Sequence, residues 1–138
     1  MSTIYLDNAA TTKVREEVVS VISSIIKKEY GNPSSTHSYG RSSKSLIESS
    51  RKEIADILNV KSSEIIFTSG GTEGDNMIIR NCVNNLGVSH IITTKIEHHA
   101  VTHTIDDLIR SNNINVSYVK VSKSVDVDLN DLEEILKS

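Results

Sequence analysis

Two short stretches hold the residues whose types and spacing could do chemistry. One is Phe67-Thr-Ser-Gly-Gly-Thr-Glu-Gly-Asp-Asn76, and the other is Glu97-His-His-Ala-Val-Thr-His103. In the first, Gly70, Gly71 and Thr72 stand between a short apolar run, Glu64–Thr68, and apolar residues at helical spacing. A strand, a tight glycine turn and a helix start together make an anion site. The first helical turn leaves backbone amides unpaired, the helix dipole adds partial positive charge, and glycine lets a phosphate come close. The order of residues is neither GxGxxG nor a P-loop with its lysine, which weakens dinucleotide and nucleoside triphosphate readings. An ordinary strand–helix turn, with Glu73 and Asp75 placed for the dipole, explains the motif equally well.

In the second stretch, His99 and His103 fall on one face of a helix, which raises zinc. The order is not HExxH and no cysteine lies close in sequence, so no metal is expected. His98 is placed differently. It follows the apolar run His90–Thr94, at the carboxyl end of a strand, where open α/β sheets bind ligands. The glycine turn follows the preceding strand and belongs at the same edge. A histidine that caps the next helix is the competing reading. Cys82, the single cysteine, sits on the apolar side of a helix and reads as a small buried hydrophobe.

The elements that must position these residues follow from periodicity. Val14, Val18, Val21, Ile22, Ile25 and Ile26 predict a first helix ending near Tyr30-Gly31. Gly31–His37, with the only proline, predicts a loop. Leu46, Ile47, Ser50, Ile54, Ile57 and Leu58 predict one face of a second helix, with Asn59 as a left-handed cap. Beyond that, Ile65–Phe67 predicts a buried strand and 72–86 a helix stopped by Gly87. A second strand over 90–94, a helix from 101, and a third strand through Ile114, Val116 and Tyr118 follow. Asn130-Asp-Leu-Glu133 predicts a capping box for a last helix with Leu132, Ile135 and Leu136 inward. This alternation predicts an α/β fold: a partial, mostly parallel sheet with crossover helices. The chain ends straight after a helix, where another strand is expected.

Composition bounds the rest. The 138 residues suit one domain of the usual ~100–200 residues. A net charge of −3 without a basic block gives no footprint for nucleic acid or an anionic membrane. One cysteine excludes an internal disulfide framework. The start MSTIYLDNAATT has no signal-peptide pattern and no run approaches a membrane span, so a cytoplasmic protein is expected, and the sequon Asn115-Val-Ser117 is read as chance.

Four stretches in series, Tyr5-Leu-Asp-Asn-Ala-Ala-Thr-Thr12, Gly31-Asn-Pro-Ser-Ser-Thr-His37, Ile65–Asn76 and Thr94-Lys-Ile-Glu-His-His-Ala-Val101, resemble the amino-terminal part of the NifS/IscS-type cysteine desulfurases. These are class V aminotransferase-like enzymes that use pyridoxal 5′-phosphate (PLP). The resemblance implies the amino-terminal portion of a PLP fold type I large domain, preceded by helices of the small domain. Residues 1–60 would form the arm and helices, and 61–138 the first strand–helix units. It implies that Gly71 and Thr72 bind the cofactor phosphate. It also implies that His98 stacks on the pyridine ring and helps proton transfer, and that Asn8, Ala9 and Ala10 border the substrate side. The Gly31–His37 loop would lie near the active-site rim or a dimer contact.

The implied reaction takes sulfur from L-cysteine, leaving alanine and an enzyme persulfide, with a sulfur acceptor or scaffold protein as partner. The iron–sulfur assembly role and the homodimer come from the same resemblance. The family's lysine that holds the cofactor covalently, its sulfur-accepting cysteine, its ring-nitrogen aspartate and its carboxylate-binding arginine have no counterparts here. The 138 residues are therefore expected to be a truncated chain, inactive alone, and prone to associate through an uncovered sheet edge. Selenocysteine lyase, another class V enzyme and a non-catalytic assembly module are the alternatives.

Overall fold

A computed structural model describes residues 3–112 and 114–138. The first two residues of the amino-terminal stretch read above, and Asn113, lie outside the described residues. The chain divides into two units, Met1–Ile66 and Phe67–Ser138.

The first unit is helical. α1 (Glu16–Lys28) has acids in its first turn and lysines in its last, both matched to the helix dipole. Its apolar residues Val18, Val21, Ile22 and Ile26 are exposed, and only Ile25 is half-buried. α2 (Ser38–Leu58) opens on His37, whose Nδ1 accepts the Gly40 amide at 3.3 Å, and closes on Asn59 in the left-handed region (φ 54°) as expected. Its buried line is Gly40, Ser43 and Ala55, with Leu46, Ser50 and Ile54 half-buried. Ile57 and Leu58, expected inside, are exposed. The face that packs is chosen by small residues admitting the preceding loop, not by the largest apolar side chains.

Gly40 shows why. The loop turns on Asn32, whose carbonyl accepts the Ser35 amide at 2.9 Å. A β-carbon at position 40 would collide with the carbonyls of Asn32 and Ser35, and one at Gly31 with the backbone of Tyr39 and Gly40. Tyr30 and Tyr39 stack over this junction with ring centres 5.3 Å apart. Farther on, a 3₁₀ turn (Ser62–Glu64) leads into Ile65, whose carbonyl accepts from Arg51 Nη1 at 2.8 Å.

The expected strand at Ile65–Phe67 is corrected. The backbone there is extended at Ile65, but these residues are not a strand of the described sheet, and Ile66 and Phe67 are exposed. A strand is defined by its ladder, and extended conformation alone does not make one.

The second unit is a βαβ unit with flanking helices. α3 (Gly71–Asn84) ends before Gly87, which takes φ 72°. β1 (His90–Thr93) pairs in parallel with β2 (Asn115–Tyr118), with Ile91 opposite Val116, and α4 (His99–Asn112) makes the crossover. The core is Val83, Leu108 and Ile114, with Ile79, Ile91 and Val116 packed against it. Ile105 and Leu108, the largest fully buried side chains, each contribute about 1.5–3 kcal/mol by leaving water.

α5 (Leu129–Lys137) is capped two residues before the cap expected at Asn130. Its cap is Asp128, whose carboxylate accepts the amides of Asn130 and Asp131 at 3.0 and 3.1 Å. A charged oxygen serving two free amides outcompetes the neutral cap expected at Asn130. Leu132 and Ile135 are half-buried, whereas Leu136 is exposed. Asp131 anchors the helix to the chain after β2. It accepts Lys120 Nζ at 2.6 Å and the Lys120 backbone amide at 2.9 Å, which holds its carboxyl below the usual range and raises the lysine. Among the described residues no helix is long and apolar enough to cross a membrane.

Alanine ordinarily stabilises a helix relative to glycine. At position 40 the sign should reverse, and Gly40→Ala should lower unfolding stability by about 1–3 kcal/mol through overpacking. Urea unfolding followed by circular dichroism measures this, and an unchanged or raised midpoint would contradict the packing described.

Candidate functional site

The glycine turn is built by its neighbours. Thr68 Oγ1 donates to the Gly70 carbonyl at 3.1 Å, and the Gly74 amide donates to the same oxygen at 3.2 Å. Gly70 is the N-cap of α3 and offers no side chain to the first-turn amides. The carboxylate in the first turn of α3 is engaged: Glu73 Oε2 accepts the Ser69 amide at 2.6 Å. That bond, with a lesser one from the Ser69 hydroxyl, holds the Glu73 carboxyl below its ordinary range.

Nothing lies within 4 Å of where a β-carbon would stand at Gly70 or Gly71. Gly31 and Gly40 are glycines because the protein fills their space. Gly70 and Gly71 face open space, so the protein's own packing does not call for them.

His98 caps α4. Its carbonyl accepts the Val101 amide at 2.9 Å, and its Nδ1 accepts the Ala100 amide at 3.1 Å. Because Nδ1 accepts, the proton of the neutral ring is on Nε2. Capping and ligand contact, the two readings of this residue, do not compete, since the cap uses one nitrogen and leaves the ring face and Nε2 exposed.

A cleft of about 260 Å³ lies between α3 and α4, lined by Thr72, Asn76, Arg80, His98, His103 and their neighbours. It thus brings together Thr72 and His98. Gly71 precedes Thr72 and is not itself a wall of the cleft. Asn8, Ala9 and Ala10 lie in the first unit, in an exposed turn closed by the Ala10 and Thr11 amides on the Asp7 carbonyl. His99 and His103 do share a face, stacked with ring centres 4.9 Å apart. Among the described residues no three His, Cys, Asp or Glu side chains gather as a metal would need. Cys82 is half-buried and lines a separate apolar groove beside β1.

Three residues of the cleft region escaped the sequence reading. Asn76 Nδ2 donates to the Thr72 carbonyl at 2.9 Å and to the Ala100 carbonyl at 3.4 Å. Its Oδ1 accepts Arg80 Nε at 3.3 Å, and Arg80 Nη1 pairs with Asp107 at 2.8 Å. The available signal was two polar residues four apart on the helix after the glycine turn. Their partners Ala100 and Asp107 lie on another helix, where sequence spacing is silent.

A family model described as aminotransferase class-V matches residues 4–138. A cysteine desulfurase IscS of Dictyoglomus turgidum is 42% identical over 139 residues, covering 97% of this chain and 34% of the relative. Among solved structures, a NIFS-like protein aligns with a TM-score of 0.84 at 36% identity, over 93% of this chain and 35% of that one. SspA in complex with cysteine aligns with a TM-score of 0.83 at 32% identity, over 96% of this chain and 38% of that one. The chain spans about a third of the length of the curated relatives it matches.

Because Glu73 is favoured as the carboxylate in the folded state, its contribution to stability is present above the ordinary glutamate pKa. It is lost as pH falls through the depressed folded value. Glu73→Gln should therefore lower stability at neutral pH and leave the strongly acidic end unchanged. Carboxyl-carbon NMR gives the titration directly, and a Glu73 midpoint at or above the ordinary value would contradict the Ser69 bond.

Proposed function

The chain belongs to the aminotransferase class-V family and has the α/β architecture of its fold type I PLP enzymes, and on that premise we propose that it forms part of the PLP site of a cysteine desulfurase. The observation that carries the reading is the meeting of Thr72 and His98 in one cleft, next to two glycines whose space the protein leaves open. These residues fit the cofactor. The first-turn amides of α3, free of side-chain caps, suit a phosphate dianion. The Thr72 hydroxyl adds a donor, and the exposed imidazole of His98 offers a flat face to a pyridine ring.

PLP, when bound, supplies an electron sink for the carbons of an amino-acid substrate. The chain's own residues would bind and orient it. Gly71 and Thr72 would hold the phosphate end, beside Glu73, whose carboxylate accepts the Ser69 amide. His98 covers the ring, with its Nε2 proton directed away from the Ala100 cap. Asn8, Ala9 and Ala10 are assigned to the substrate side. Residues 1–60 are assigned to the arm and small-domain helices, and 61–138 to the start of the large domain.

The substrate proposed is L-cysteine, supported by a neighbour solved in complex with cysteine. The sulfur would pass as a persulfide to an acceptor protein for iron–sulfur cluster assembly in the cytoplasm. A homodimer is proposed, in keeping with the exposed apolar face of α1.

Pyridoxine 5′-phosphate, which lacks the aldehyde and so does not react with surface lysines, is the probe for the site. It should shift the amide signals of Gly70–Thr72 and the ring signals of His98, whereas inorganic phosphate should shift only the former. Gly71→Val should weaken phosphate and pyridoxine 5′-phosphate alike by about 10–100-fold, as expected for one charge-assisted hydrogen bond. Gly71→Ala should leave stability unchanged or raise it by up to about 1 kcal/mol. Shifts that map elsewhere would overturn the site. Alanine formation from L-cysteine, set against L-selenocysteine, tests the substrate in a protein carrying this chain.

A further inference from the structure

We propose that Asn76 is a positioning residue whose carboxamide fixes the separation of Thr72 and His98, so that one ligand reaches both; the inference rests on the PLP reading above. The amide joins the first turns of two helices. One Nδ2 contact goes to the Thr72 carbonyl of α3, and the other to the Ala100 carbonyl of α4. The amide of that same Ala100 donates to His98 Nδ1. A single planar group therefore touches the residue at the phosphate end and the residue that orients the imidazole.

The orientation of the carboxamide is fixed by its other side. Arg80 has donors only, so the oxygen of Asn76 must face Arg80 Nε, which leaves the NH₂ for the two carbonyls. Arg80 is in turn held by Asp107 of α4, so both ends of the bridge are tied to both helices.

Satisfying backbone groups does not explain this residue. The Ala100 carbonyl already accepts the buried Thr104 hydroxyl at 2.7 Å, so it would not be left unpaired without Asn76. Helix propensity does not explain it either, because asparagine is a poorer helix former than alanine or leucine. What the amide adds is a fixed span between two turns that each carry half of a ligand contact. Losing that span should cost the benefit of binding both halves at once and leave each half intact.

The test compares three probes on the chain: inorganic phosphate, pyridoxine and pyridoxine 5′-phosphate, followed by amide and imidazole NMR shifts. Asn76→Ala should weaken pyridoxine 5′-phosphate by about three- to tenfold, the range of one net hydrogen bond. Phosphate alone and pyridoxine alone should each change less than about twofold, within the scatter of a neutral surface substitution. Thr104→Val removes the other bond to the Ala100 carbonyl without touching Thr72, and should leave the ratio of probe affinities as in the unaltered chain. Should Asn76→Ala fail to fold by circular dichroism, Asp107→Asn frees Arg80 while sparing the Asn76 contacts. It should give a smaller loss, confined again to the two-part probe. A preference for pyridoxine 5′-phosphate that survives in Asn76→Ala, or a loss shared equally by all three probes, overturns the positioning role alone. An unaltered chain that binds pyridoxine 5′-phosphate no better than phosphate overturns the PLP reading and this inference with it.

Discussion

The packing of α3 on α4 is the contact on which the second unit depends. Parallel strands cannot be joined by a tight turn, so the chain between β1 and β2 must cross over, and here the crossover is α4. Once Leu108 and Val83 bury against the sheet residues Ile91 and Val116, the two helices lie side by side. Their amino-terminal ends then meet at one cleft. The apolar core, which takes no part in chemistry, thereby decides that Thr72 and His98 are neighbours although they are far apart in sequence.

Above that core the contact between the helices is polar. The Arg80–Asp107 pair is roughly half exposed, and such pairs are worth only about 0–1 kcal/mol. The division of labour is physical. Dispersion and burial give most of the energy but tolerate sliding, because apolar contacts have no strong directional preference. Hydrogen bonds give less net energy but fix distance and angle. A cleft that must match a small rigid molecule needs the second kind of contact at its walls.

Much of the architecture was legible in the sequence because it is local. Helical periodicity located five helices, Asn59 and Gly87 marked two helix ends, an apolar run located β1 and alternation located β2. The errors have a common physical source, which is that they concern partners. Ile65–Phe67 has strand-like residues, but a strand needs a ladder, and the described sheet joins β1 and β2 without it. Ile57 and Leu58 continue the apolar face of α2, yet burial depends on what lies opposite, and the buried line runs through Gly40, Ser43 and Ala55. The cap of α5 fell on Asp128 because a carboxylate competes better for two amides than the asparagine two residues on. At the site, the glycine turn and His98 announced themselves by residue type. Asn76 did not, since its second carbonyl belongs to Ala100, 24 positions later.

The two kinds of glycine would drift differently through descent. Gly31 and Gly40 are policed by folding itself, since any side chain there strikes backbone. Gly70 and Gly71 meet no such check within this chain, and at Gly71, inside α3, a better helix former would be neutral or favourable for the helix. In a lineage that had ceased to bind a ligand, these two positions would be among the first to change, while the loop glycines persisted as long as the chain folded. Within this chain, an uncapped helix start with room around it is where the two glycines stand together, held there by no packing contact.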